Sequence, residues 1–111
     1  MQTVFVIAKD WTLRAAVRAE LRELGIDALG MESADDAGRA IAAGQAPSAV
    51  VLEAGATGPA MEQIARRVPV IVVASGLERV AFEPVAAILH RPVQVGEIVA
   101  RVKQALQGTP A

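Results

Sequence analysis

The sequence predicts a doubly wound α/β domain, a five-stranded parallel sheet with helices on both faces. Five short apolar runs rich in β-branched residues recur along the 111 residues, each suited to a strand buried on both sides. Segments with helical periodicity alternate with these runs. The length fits one domain of about 100–150 residues, and no repeat, linker or low-complexity tract divides the chain. Strand–helix alternation of this kind closes into a parallel sheet through right-handed crossovers. The whole chain, 1–111, is therefore expected to be a single domain.

Thr3 to Ala8 is the first strand. Trp11 to Gly25 follows as a helix, with Leu13, Ala16, Val17, Leu21 and Leu24 on one face and Arg14, Arg18 and Arg22 on another. Asp10 or Thr12 is its expected cap, and Gly25 its stop. The arginine stripe, interspersed with Glu20 and Glu23, reads as a solvated helix face rather than a DNA contact. Ile26 to Met31 is a short second strand. Ser33 opens the second helix, with Asp36 three residues on in a weak capping-box pattern. Ala34, Ala37, Ile41 and Ala42 form the inner face of that helix, and Gly44 ends it.

Pro47 leads into the third strand, Ala49 to Glu53, and a small-residue loop runs from Ala54 to Pro59. Met61, Ile64, Ala65 and Val68 mark a short third helix. Pro69 to Ala74 is the clearest strand, apolar throughout. Leu77 to Phe82 has room for one or two helical turns. Val85 to Leu89 is the fifth strand, ended by His90-Arg91-Pro92. The last helix, about Val95 to Gln107, places Val95, Ile98, Val99, Val102 and Leu106 on its buried face. The tail from about Gly108 is expected to be disordered.

Composition excludes several function classes. There are no cysteines, so disulfides and thiolate chemistry are absent, and the single histidine, His90, cannot build a paired-imidazole zinc site. The 11 basic and 12 acidic side chains leave a net charge of -1, a poor basis for nucleic-acid binding. Aromatic residues are only 3%, which disfavours a base-stacking face. No secretory signal and no apolar stretch near the ~20 residues of a membrane span are visible, so the cytoplasm is the expected location.

In doubly wound sheets, ligands sit outside the carboxyl ends of the strands. Here those ends hold Ala8-Lys9-Asp10, Glu53, Ala74-Ser75 and His90-Arg91-Pro92. The sequence has no Gly-x-Gly-x-x-Gly after the first strand, no P-loop lysine motif and no Gly-x-Ser-x-Gly elbow. Ser75 has only His90 as a conceivable base and no third partner. No catalytic residue and no cofactor is expected from these residues.

The order of elements, together with Pro47-Ser48-Ala49-Val50-Val51-Leu52-Glu53, Pro69-Val70-Ile71-Val72-Val73-Ala74-Ser75 and Leu89-His90-Arg91-Pro92-Val93, resembles the receiver domain of bacterial two-component response regulators. The resemblance runs from about Thr3 to Gln107. It implies a three-layer flavodoxin-like fold with strand order 2-1-3-4-5. The third helix is expected to be shortened, since only 16 positions (69 minus 53) separate Glu53 from Pro69, and the fourth, with only Leu77 to Phe82 before Pro84, is expected to be shortened too. Position by position, every chemical residue of the family is changed. The metal-binding acidic pair falls on Ala8 and Lys9. A one-residue slip would bring in Asp10, but the Leu13-Arg14 match argues against it. The phosphate-accepting aspartate falls on Glu53. The hydroxyl of the switch falls on Ala74, with Ser75 one place late, and the switch aromatic falls on Ile88. The family's lysine falls on Arg91, and the following proline, Pro92, is a candidate for a cis bond.

A hard divalent cation needs carboxylate oxygens; Ala8 has none, and a Lys9 ammonium would repel the ion. No bound metal is expected. Glu53 is one methylene longer than aspartate, so the expectation is a permanent Lys9–Glu53–Arg91 salt-bridge cluster in place of a phosphorylation switch. The resemblance then implies a degenerate receiver, a non-catalytic protein-interaction module of phosphorelay signalling. Its expected partner is a histidine kinase or a downstream effector, with a homodimer as a further expectation, and neither nucleic acid nor membrane is bound. The alternative is a small-molecule binding module on the same fold. Flavin is disfavoured because the third-strand loop lacks an aromatic to stack, and cobalamin because no histidine follows the first strand.

Overall fold

All five apolar runs form strands. A computed structural model describes residues 2–76, 78, 80 and 82–108. In chain order the elements are β1 (Thr3–Ile7), α1 (Trp11–Glu23), β2 (Asp27–Met31), α2 (Ala34–Ala42), β3 (Ala49–Glu53), a 3-10 turn (Ala54–Ala56), α3 (Ala60–Arg67), β4 (Val70–Ala74), β5 (Ala87–His90) and α4 (Val95–Leu106). The strands form one parallel sheet in the order β2-β1-β3-β4-β5. This is the three-layer flavodoxin-like arrangement.

Side chains alternate across a strand, so each strand feeds two cores. Phe5, Ile7, Val50, Leu52, Val70 and Val72 face α2 and α3, where they meet Ala37, Met61 and Ile64. Val4, Val6, Val51, Ile71 and Val73 face α1 and α4, where they meet Val17, Leu21, Ile98 and Val102. Nearly all of these are fully buried, and each such side chain contributes about 1.5–3 kcal/mol relative to exposure. That two-sided demand is why the strands read as continuous apolar runs.

Helix boundaries follow local chemistry. Asp10 caps α1, its Oδ1 accepting from the Thr12 N–H at 2.9 Å and the Leu13 N–H at 3.3 Å. Gly25, at φ +78, takes the left-handed turn after α1 that a side chain would resist. Ser33 caps α2, its Oγ accepting from the Asp36 N–H at 3.2 Å. The third helix is short, at 8 residues. The turns expected between Leu77 and Phe82 fall in part on Leu77, Arg79 and Ala81, which lie outside the described residues, as does the tail from Thr109. The fifth strand starts two residues later than its apolar run and includes His90; Ala86 still donates to the Val70 carbonyl at 2.9 Å, so the chain meets the sheet before the ladder begins.

The arginine stripe departs from expectation. The Asp27 N–H donates to the Gln2 carbonyl, and the Met31 carbonyl accepts from the Ala8 N–H. Alternation along β2 therefore turns the polar groups of Ala28 and Gly30 to the free edge of the sheet. Arg18 Nε and Arg22 Nη2 both donate to that Ala28 carbonyl, at 3.2 and 3.4 Å, and Arg14 Nη1 donates to the Ala8 carbonyl. The stems of Arg14 and Arg18 lie over Gly30, about where a Cβ would be. Arg14 and Arg18 are half-buried, so the stripe is a cover for an edge strand and not a freely solvated face. Unpaired edge groups invite foreign strands, and this edge is partly closed.

Candidate functional site

Three connections converge at the carboxyl ends of the strands: the β1–α1 turn, the end of β3, and the segment after β5. Glu53 is the last residue of β3 and points into this corner. Its Oε1 accepts from the Lys9 N–H at 2.8 Å and from the Asp10 N–H at 3.3 Å. Its Oε2 accepts from Arg91 Nη2 at 2.9 Å. Arg91 Nη1 in turn reaches Asp10 Oδ2 at 3.5 Å. The Arg91–Pro92 peptide is cis. The side chains are 18% exposed for Glu53 and 34% for Arg91, so the pair is part-buried and its hydrogen bonds are charge-assisted.

The expected Lys9–Glu53–Arg91 cluster needs one correction. Lys9 is exposed, and among the described residues its ammonium makes no ion pair. Lys9 takes part through its backbone N–H alone. Asp10 occupies the third place instead, with one carboxylate oxygen capping α1 and the other on Arg91. The physical reason lies in the turn. The chain leaves β1 and enters α1 within three residues, so its N–H groups point at the β3 end and the Lys9 side chain points away. The Leu13 N–H, followed by the Thr12 N–H and the Arg91 guanidinium, holds the Asp10 carboxyl below its ordinary range against an opposing desolvation cost.

The remaining candidates are placed as follows. Ala8 is buried; its N–H donates to the Met31 carbonyl, and its carbonyl accepts from Arg14. Ala74 ends β4, fully buried and without a hydroxyl. Ser75 is exposed, and its N–H donates to Glu78 Oε1 at 2.6 Å. Ile88 lies on β5, 43% exposed. His90 pairs with Ala74 across the β4–β5 ladder, and among the described residues no hydrogen bond joins its ring to Ser75. Glu78 and Arg14 were not expected at this end. The Ser75-x-x-Glu78 spacing is a capping-box pattern and is the signal that points to Glu78.

Chemically, the corner is closed. Both Glu53 oxygens are engaged, and Asp10 is shared between a helix cap and a guanidinium. Among the described residues no group of three or more His, Cys, Asp or Glu could hold a metal ion. A groove of about 310 Å³ between α2 and α3, lined by Ile41, Pro47, Ile64, Arg67 and Val68 among others, lies at the opposite, amino end of the sheet. No described helix is long and apolar enough to cross a membrane.

No protein-family model matches the sequence, and no curated protein does. Solved structures do match. A response regulator receiver protein from Burkholderia phymatum shares 25% identity at a TM-score of 0.74, over 100% of this chain and 98% of that one. The N-terminal domain of a response regulator/sensory box/GGDEF three-domain protein from Carboxydothermus hydrogenoformans superposes at 0.78 with 13% identity, over 96% and 94% of the two chains. A response regulator receiver protein from Sinorhizobium medicae superposes at 0.76 with 16% identity, over 96% and 95%. The neighbours are receiver domains, and the fold of this chain is theirs.

Proposed function

We propose that this chain is a receiver-like module of two-component signalling that works without phosphorylation, by binding protein partners. The single observation that carries the reading is the saturation of Glu53. A phosphoacceptor carboxylate must offer a free oxygen to the donor and stand beside a cation that neutralises the transferring group. Glu53 instead holds two backbone N–H groups on one oxygen and Arg91 on the other. Arg91 supplies the positive charge permanently. The β1–α1 turn, the β3 end and the post-β5 segment are thereby tied together in one arrangement. A histidine kinase or a downstream effector is the class of partner that the receiver fold suggests. Cytoplasmic location and a non-catalytic role belong to the same reading.

The test is chemical. Incubation with a small phosphodonor and magnesium, followed by intact mass measurement, is expected to leave the mass unchanged. A labile adduct of one phosphoryl group, abolished in Glu53→Gln, would overturn the reading. A small-molecule role is less well supported, because the α2–α3 groove opens at the amino end, whereas ligands of doubly wound sheets bind at the carboxyl ends.

A further inference from the structure

We infer that Arg14 is a positioning residue for Glu53 and acts on it through the Ala8–Lys9 peptide. The carbonyl of that peptide accepts from Arg14 Nη1 at 2.6 Å. The N–H of the same peptide, on Lys9, donates to Glu53 Oε1 at 2.8 Å. The peptide is trans and planar, so its two polar groups point in opposite directions and cannot turn independently. A guanidinium therefore sits at one end of the peptide dipole and a carboxylate at the other. Each bond is charge-assisted, and a cation on the oxygen makes the N–H a stronger donor. The inference rests on the reading of Glu53 as a permanently engaged carboxylate. Arg91 engages its Oε2 directly, and Arg14 aims a donor that engages its Oε1.

Three features of the chain bring Arg14 to this peptide. The Ala8 N–H is fixed on the Met31 carbonyl, so the open variable at the turn is the tilt of the next peptide plane. Among the described residues no backbone N–H donates to the Ala8 carbonyl, which leaves that part-buried oxygen to Arg14. Gly30 lets the stem pass, because a Cβ there would stand 3.0 Å from Arg14 Cδ and 3.1 Å from Arg14 Cγ. Arg14 also stands near the N-terminus of α1, where the helix dipole disfavours a cation and the first turn has no acidic residue to offset it. Helix electrostatics do not favour an arginine at this place, whereas the Ala8 carbonyl does. Arg18 and Arg22 donate to the Ala28 carbonyl instead and have no such link to the corner.

The probe is the Lys9 amide, followed by NMR on the whole chain in 1 M salt, where a screening length of about 3 Å removes direct attraction between Arg14 and Glu53. In the wild type its proton is expected downfield, with a scalar coupling across the hydrogen bond to the Glu53 carboxylate carbon. Glu53→Gln should move it upfield, which identifies the bond. Arg14→Met keeps an unbranched stem over Gly30 and removes the guanidinium. It is expected to move the Lys9 amide upfield, weaken the coupling and quicken Lys9 exchange roughly tenfold, with the β4 amides unchanged. Arg18→Met strips the same edge without touching Ala8 and should leave Lys9 as it was. If Arg14→Met does not fold, Gly30→Val carries the test: it dislodges the stem with its charge intact and should produce the same shift. A Lys9 amide unmoved by the variant that carries the test, or moved equally by Arg18→Met, would overturn the inference. No phosphodonor is present, so these outcomes stand apart from the mass measurement: a phosphoryl adduct would overturn the proposed function and leave the link from Arg14 to Glu53 standing.

Discussion

Removing either member of the Glu53–Arg91 pair strands the other in a part-buried corner. Full burial would make that cost roughly 3–5 kcal/mol, while a wet surface pair is worth under about 1 kcal/mol. The observed exposures lie between, so Arg91→Ala is expected to cost about 1–2 kcal/mol in urea unfolding. Glu53→Gln should cost a similar amount, because its amide can still accept one backbone N–H. The double variant should lose less than the sum, since the two residues share one interaction; strict additivity would show that they are not coupled. Asp10 adds a pH dependence. Folding lowers its pKa, so its contribution is fully present above the unfolded value of about 3.9 and is lost as pH falls through the folded one. Asp10→Asn should flatten that part of the acid limb, and an unchanged acid profile would reject the assignment. At this scale the sequence was legible in residue type and not in direction. It placed Glu53 and Arg91 at the carboxyl ends of the third and fifth strands, but nothing in Ala8-Lys9-Asp10 says that Lys9 contributes its N–H and Asp10 its carboxylate. That depends on how tightly the turn closes.

The elements were legible where two signals agreed. A buried strand between two covered faces must be apolar at every position, which made β1, β3 and β4 unmistakable. Edge strands are subject to weaker demands, and β5 accordingly shifted by two residues, with burial alternating along Ala87 to His90. The arginine stripe was misread for a related reason. Periodicity separates apolar from charged faces, yet it cannot show that a charged face folds over an edge strand whose next residue but one is glycine. Gly30 makes that possible. A Cβ there would come within 2.9 Å of Arg18 Cδ and 3.0 Å of Arg14 Cδ. Gly30→Val is therefore expected to push both stems off the edge and expose the Ala28 carbonyl, at a cost of about 1–2 kcal/mol for the forced repacking. Amide exchange should quicken along β2 and not along β4. If β2 keeps its protection, the arginines are not what covers this edge.

At the scale of the whole molecule, the two ends of the sheet differ. The amino end has the apolar α2–α3 groove, and the carboxyl end has a network of charges satisfied within the chain. A divalent cation arriving between the β1–α1 turn and the end of β3 meets the carboxylates of Asp10 and Glu53, and both already face Arg91. To bind, it must displace a guanidinium, without the oxygen-rich shell that magnesium prefers. A net charge of -1 provides little long-range attraction to offset this. Trp11 is the only tryptophan. It directly follows Asp10 and is 68% exposed, so its emission should respond to a change at this corner. Magnesium titrated to millimolar levels is expected to leave that emission flat, in the wild type and in Glu53→Gln alike. Arg91→Ala is the informative variant: with the guanidinium gone, Asp10 and Glu53 face each other uncompensated, and a weak saturable response should appear. A saturable response in the wild type, lost in Glu53→Gln, would show that the corner still admits a metal and that Arg91 does not substitute for one.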